Sequence, residues 1–342
     1  MTQLRAILVL RFSSIGDIVQ TTSVVGTLKS NFPEAVIDFM TLSKYASLLE
    51  GHPHINRVHA VDIGAGFMAL KRTGFEMETM GYDLLIDLHN TTRSRIVRKA
   101  MVKTPSVWVK KPRWNRFKLF ALRQNHFSSD FTVRSWLHDP VRSILPASLE
   151  ISPTTLTVSD IEKSRVRSFL ETKGVSENYC VITPGAAWSQ KQWIGERYAA
   201  VIDGCIAQLD LTPVLIGGPN DAICELIKNT ADSKVVDIHG KTNLRESMAI
   251  VGGAQFVMGS DTGLLHAGEA LNVPAIAILG PTSRETGASV FNSHSKVVAQ
   301  TDLKCRPCSQ NGSFPCYRKE QYCMTSIHPE AVMDAIHRIV QV

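Results

Sequence analysis

Short, uninterrupted apolar runs recur along this chain, each followed by a stretch of helical period. The alternation starts twice. Ala6–Leu10 is the first run, followed by a Ser-Ser-Ile-Gly turn and a helix expected from Asp17 to about Ser30. Val36–Met40 and Asp83–Leu88 are the next runs. A run that is apolar at nearly every residue suits a strand buried on both faces, and strands alternating with helices build a parallel sheet. The pattern restarts at Tyr179–Thr183, which leads into Pro184-Gly185. A helix over Glu196–Leu209 follows, then runs at Pro213–Ile216, Lys234–Ile238, Gln255–Met258 and Pro274–Leu279. The expected fold class is therefore α/β, with two Rossmann-like domains.

A length of 342 residues suits two domains. Pro146 and Pro153 interrupt both periods, so the boundary is expected there, with residues 1–150 forming the first domain and 151–342 the second. The closing helix, Pro329–Gln341, is assigned to the second domain and is free to pack back on the first. Hydrophobic residues at 44% and charged residues at 20% argue against long disorder. No apolar run reaches the roughly 18 residues of a membrane span. Only five apolar residues separate Arg5 from Arg11, too few for a secretory leader. A cytoplasmic location is expected, where the seven cysteines stay mostly reduced.

Charge is unevenly spread. The net charge is +6, yet the interval between Asp87 and Asp130 holds no acidic residue and carries +11, leaving −5 for the rest. Such a field attracts a phosphorylated partner or an anionic surface, although a solvated basic face is the bland alternative.

Three nucleotide signatures fail. No G-x-G-x-x-G follows the first run, Val235 stands where a P-loop ending in Gly240-Lys241-Thr242 needs its first glycine, and no two aspartates are spaced as D-x-D. What remains is a set of loops after strands of the second half. Gly259-Ser260-Asp261-Thr262-Gly263-Leu264-Leu265-His266 joins a run to a helix, whose first amides and dipole favour a phosphate. Gly263 allows close backbone approach, while an ordinary helix cap by Asp261 or Thr262 is the alternative. Lys191, in the loop from Thr183 to Trp193, can neutralise a leaving diphosphate. Asp221, after Gly217-Gly218-Pro219-Asn220, can accept from ribose hydroxyls or cap a helix. In the first half, Ser13, Ser14 and the Gly16 backbone form the turn before Asp17. If the halves face each other, that carboxylate can take a proton from an attacking hydroxyl.

The motifs then become specific. Arg11-Phe12-Ser13-Ser14-Ile15-Gly16-Asp17-Ile18-Val19-Gln20-Thr21 resembles the N-terminal signature of glycosyltransferase family 9, the ADP-heptose:lipopolysaccharide heptosyltransferases. Pro184-Gly185 with Lys191-Gln192-Trp193, His239-Gly240-Lys241-Thr242, Gly259–Gly263 with His266, and Gly280-Pro281-Thr282 resemble it too, in family order. The resemblance implies a GT-B fold and inverting heptose transfer from ADP-heptose, with no metal or other cofactor. It implies Asp17 as the base, with Lys191 and the Asp261-Thr262-Gly263 loop on the donor diphosphate. Ala186-Ala187 depart from members with hydroxyl side chains there, so backbone amides would serve.

The donor set is then Gly185, Ala186, Lys191, Gly218, Asp221, Asp261, Thr262, Gly263 and His266, and the catalytic pair is Asp17 with Lys191. The acceptor set is Ser13, Ser14, Gly16, Arg93, Arg95 and Arg98. The implied acceptor is the lipopolysaccharide inner core, as Kdo-lipid A or its heptosylated form. The implied setting is peripheral, on the anionic inner-membrane surface. Lys110–Arg123, interleaved with Trp108, Trp114, Phe117 and Phe120, reads either as a cationic segment lying on that surface or as a helix with its aromatics in the core. Nucleic acid is not expected as a partner. Rival readings are a GT-B enzyme for another nucleotide sugar or acceptor, and a nucleotide-sugar epimerase. Cys305, Cys308, Cys316 and Cys323 could hold a metal tetrahedrally or remain plain thiols, and the spacing leaves both open.

Overall fold

The structure is a computed structural model that describes residues 4–340, apart from positions 63, 65, 147 and 149. Eleven strands form two sheets among these residues. The first sheet contains β1 (Ala6–Leu10), β2 (Val36–Leu42), β3 (Arg57–Val61), β4 (Leu84–Asp87) and β5 (Ser106–Trp108). They lie in the order β3-β2-β1-β4-β5, every pair parallel. The second contains β6 (Tyr179–Thr183), β7 (Thr212–Leu215), β8 (Val236–Asp237), β9 (Val257–Ser260), β10 (Ala275–Leu279) and β11 (Lys296–Ala299). Their order is β11-β10-β9-β6-β7-β8, again all parallel.

The continuous apolar runs form the strands covered on both faces. Successive residues of β6 point to opposite sides, so Val181 and Ile182 enter different cores. Ile182 packs with Trp193, Tyr198, Met258 and Ile336, and Val181 with Val257, Leu265, Ala277 and Val166. Each such burial contributes about 1.5–3 kcal/mol. In the first sheet, Leu8, Leu10 and Leu85 pack with Phe12, Met40, Leu70 and Val97.

The chain divides into two compact units, and the division is not the single linear boundary expected at 150/151. Residues 1–112 and 132–157 form the first, and residues 113–131 and 158–342 the second. The excursion is fastened by Arg123, whose Nη1 donates to Cys305 O and Pro307 O, each at 3.2 Å, and by Asn125, whose Nδ2 donates to Glu285 Oε1 at 3.1 Å. The +11 stretch is therefore split between the units rather than confined to the first. The closing helix, Pro329–Val340, packs on helix Gly195–Leu209 and on β10 and β11 of its own unit, so packing on the first domain is not what buries Val332 and Ile336.

Sheet order fixes where a ligand can sit. In the first unit the strand sequence reverses direction between β1 and β4, and in the second between β6 and β9. Crevices open at the carboxyl ends of strands at such switch points.

Candidate functional site

At the first switch point, β1 runs into Arg11 and Phe12, and Ser14 caps helix Ile15–Asn31. Asp17 occupies the first turn, and three donors converge on its Oδ2: Arg11 Nη2 at 2.8 Å, Ser14 Oγ at 3.1 Å and Ser14 N at 3.2 Å. Arg11 is held on its other sides by backbone carbonyls, from Nε to Ser13 O at 2.8 Å and from Nη1 to Leu88 O at 2.6 Å. Its side chain is 9% exposed, whereas that of Asp17 is 45% exposed. Burial pushes the Asp17 carboxyl up, but the Arg11 charge and the Ser14 bonds outweigh it and leave the pKa below the usual value. Asp17 is thus ionised and aimed by a fixed guanidinium.

After β4, the Asp87 carboxylate shapes the next turn by accepting from His89 N at 3.0 Å and Asn90 N at 2.7 Å. Arg93 and Arg95 lie exposed on helix Thr92–Ala100, with Arg95 Nε bonded to Asn90 Oδ1 at 2.9 Å. Arg98 is different. It pairs with Asp87 at 3.2 Å and lies 4.1 Å over the Trp108 ring, so its guanidinium has partners within the unit. His89 meets Phe12 edge-on, and its Nδ1 is buried without a hydrogen-bond partner. Burial, with Arg11, Lys111 and Arg93 nearby, pushes His89 down to about 3, so the ring is neutral at physiological pH.

At the second switch point, Asp261 and Thr262 are the only residues between β9 and helix Gly263–Ala270. The strand begins and ends two residues later than its apolar run, because Gly259 and Ser260 still pair with β10. Lys191 closes a single turn, Ser189–Lys191, after β6, and its Nζ lies 2.6 Å from Asp261 Oδ2. The two side chains are 12% and 17% exposed. His266 Nε2 stands 3.9 Å from the other Asp261 oxygen. The Thr262 hydroxyl is buried with no hydrogen-bond partner, beside helix amides that have none within the helix. Gly185 is required by close approach, since a Cβ there would sit 2.3 Å from Asp221 Oδ2. That carboxylate accepts from Gly218 N at 2.7 Å, so it folds over the Gly217-Gly218 turn. Gly185, Ala186, Lys191, Gly218, Asp221, Asp261 and Thr262 fall on carboxyl-end segments of one sheet, and Gly263 and His266 lie at the start of the helix that follows β9.

Arg11 and His89 received no role from the sequence. The available signal was a charged residue immediately after a buried strand, where a guanidinium must find partners.

The expected basic helix forms over Arg113–Ala121, with Phe120 half-buried and Trp114 and Phe117 left outside the core. Trp114 is 64% exposed and Phe117 51%, and their rings stack 5.4 Å apart with Lys118 over Trp114. Among the described residues, no helix is long and apolar enough to cross a membrane.

Comparison with known proteins fits this geometry. The sequence profile of glycosyltransferase family 9 (heptosyltransferase) matches residues 71–317. The chain is 27% identical to lipopolysaccharide heptosyltransferase 3 of Escherichia coli, over 78% of this chain and 81% of that one. Its fold matches the family 9 glycosyltransferase of Veillonella parvula with a TM-score of 0.81 at 17% identity, covering 98% and 97% of the two chains. It matches E. coli ADP-heptose lps heptosyltransferase II with a TM-score of 0.73 at 21% identity, covering 98% of each. The fold is therefore that of the GT-B glycosyltransferases, and the chain belongs to glycosyltransferase family 9 (heptosyltransferase).

Proposed function

We propose that this enzyme transfers heptose from ADP-heptose to the lipopolysaccharide inner core with inversion at the anomeric carbon, and without a divalent metal at the diphosphate. The observation that carries the reading is the constellation at the second switch point. A lysine, a hydroxyl with no partner and the free amides of a helix start converge where a diphosphate would sit. On donor binding, Lys191 exchanges its Asp261 partner for a phosphate oxygen. Its charge and the helix dipole then stabilise the ADP leaving group, the work that a metal on a D-x-D site performs elsewhere.

The first unit supplies the base. Asp17 Oδ2 is occupied by Arg11 and Ser14, which offers Oδ1 to an acceptor hydroxyl. Its proton passes to Oδ1 as the oxygen attacks C1 opposite the diphosphate, so one displacement inverts the centre. Arg93 and Arg95 are the exposed cations for an acidic acceptor, and Arg98 contributes by holding the Asp87 turn. Helix Arg113–Ala121, with its exposed aromatic pair and basic residues, seats the protein peripherally on the anionic inner leaflet, on the cytoplasmic side.

A thermal-shift screen of ADP-, UDP- and GDP-sugars tests the donor assignment. Stabilisation by ADP-heptose and ADP, with little from the uridine and guanosine series, is the expected outcome. Equal or greater stabilisation by UDP-sugars would overturn it.

A further inference from the structure

Residues 300–321 contain no helix or strand, and an irregular run of that length within a compact unit needs fastening of another kind. Part is supplied by hydrogen bonds. Arg306 donates to Gly280 O at 2.7 Å and Thr282 O at 2.9 Å, and Cys308 N donates to Pro281 O at 3.1 Å. The rest of the segment turns on its cysteines. Cys305, Cys308, Cys316 and Cys323 are all free thiols, and all four line one cavity of about 20 Å³. That is room for a single atom about the size of a water molecule.

The charge around the cavity is the second observation. Arg306 and Arg318 line it, and Arg123 reaches the carbonyls of Cys305 and Pro307. Two guanidiniums line the wall beside the four thiols and no carboxylate lines it, Glu285 acting on Arg306 from outside the wall. A divalent ion on four thiolates is a dianion, which is the charge such a setting suits.

We propose that Cys305, Cys308, Cys316 and Cys323 bind a single thiophilic metal ion of the zinc or iron class, which fastens residues 305–323 beside the Lys191 loop. No three of the sulfurs lie within 4.8 Å of one another among the described residues. Sulfurs around one tetrahedral ion at a metal–sulfur distance of about 2.3 Å stand roughly 3.8 Å apart, so binding draws the strap inward. Each sulfur releases its proton to solvent as its bond to the ion forms.

The strap touches the donor loop directly. Gly312 has φ of +78°, and a Cβ there would come 2.5 Å from Lys191 Cγ. Gln321 also donates to Gln190 O. The ion therefore sets the floor on which the Lys191 stem rests.

Metal analysis of the full chain purified without chelator, followed by Co²⁺ titration of the stripped protein, tests this. One equivalent of zinc or iron is expected, with thiolate-to-cobalt charge transfer and a tetrahedral ligand-field spectrum at one equivalent of Co²⁺. Cys308→Ser and Cys316→Ser should each weaken Zn²⁺ binding by more than about 100-fold, while circular dichroism verifies that they remain folded. Folded protein that binds no equivalent, or whose cobalt spectrum lacks thiolate charge transfer, overturns the proposal. So does an ion retained in both serine variants, which would place it elsewhere, for instance at Glu225, Asp237 and His239, whose ligand atoms lie within 4.8 Å of one another.

Discussion

The two switch points each pair a carboxylate with a cation, yet the pairs are built differently. In the first unit, Arg11 spends its fork on three acceptors, two of them backbone carbonyls, and Asp17 is the exposed member. In the second, Lys191 offers a point charge to Asp261, and both are mostly buried. A guanidinium locked to the main chain stays in place while its carboxylate works. An ammonium on a flexible stem with one anionic partner can change partners. The first pair suits a fixed base, and the second suits a cation that moves onto a ligand.

Four experiments press on that contrast. Asp17→Asn should lower turnover by roughly 10²–10⁴ with ADP affinity unchanged, since the base is removed and the donor loops are untouched. Near-normal turnover by a folded variant would strip the first pair of its role. Arg11→Gln should lower turnover by about 10- to 100-fold and also change the pH profile. With Arg11 present, the Asp17 pKa lies below its ordinary value, so activity and the stability gained from the ionised carboxylate persist as pH falls through about 4 and are lost only lower. Without Arg11, only the Ser14 bonds oppose the burial that pushes the carboxyl up, and the acid limb should move to higher pH. An unmoved acid limb would show that Arg11 only packs.

Lys191→Ala should weaken ADP binding by about 10- to 100-fold, the worth of one charge-assisted contact of about 1.5–3 kcal/mol, whereas Asp261→Asn should leave ADP affinity intact or raise it by freeing the lysine. Loss of ADP binding in Asp261→Asn would make the second pair a fixed one like the first. The smallest effect is expected at the exposed helix. Trp114→Ser with Phe117→Ser and Lys118→Glu should weaken binding to anionic vesicles at 0.1 M salt by roughly 10-fold, with thermal stability unchanged. Unaltered vesicle binding would make this face an ordinary solvated one.

How much of this was legible follows from burial. β1 and β6 match their apolar runs residue for residue, because strands in the middle of a sheet are covered on both faces. β3, β5 and β11 were missed. Each is an edge strand, and Arg57, Trp108 and Val297 remain exposed, so no continuous run marks them. Asp17 and Lys191 were legible as members of motifs. Their partners depend on chain crossings: the clamp on Arg11 needs the Leu88 carbonyl brought in by β4, and the Lys191–Asp261 pair needs β9 beside β6. The route of residues 113–131 was illegible for the same reason, as its anchors lie far along the sequence.

That route has a consequence for the chain during its synthesis. Asn125 and Glu285 are 160 residues apart, and Arg123 and Cys305 are 182 apart. At about 5–20 residues per second, the excursion leaves the ribosome roughly 10–35 s before its anchors exist. Throughout that interval the nascent first unit carries an unmoored loop bearing Trp114 and Phe117, while residues 132–157 can already complete the unit around it. The loop thus stays open to chaperones until its anchors are made.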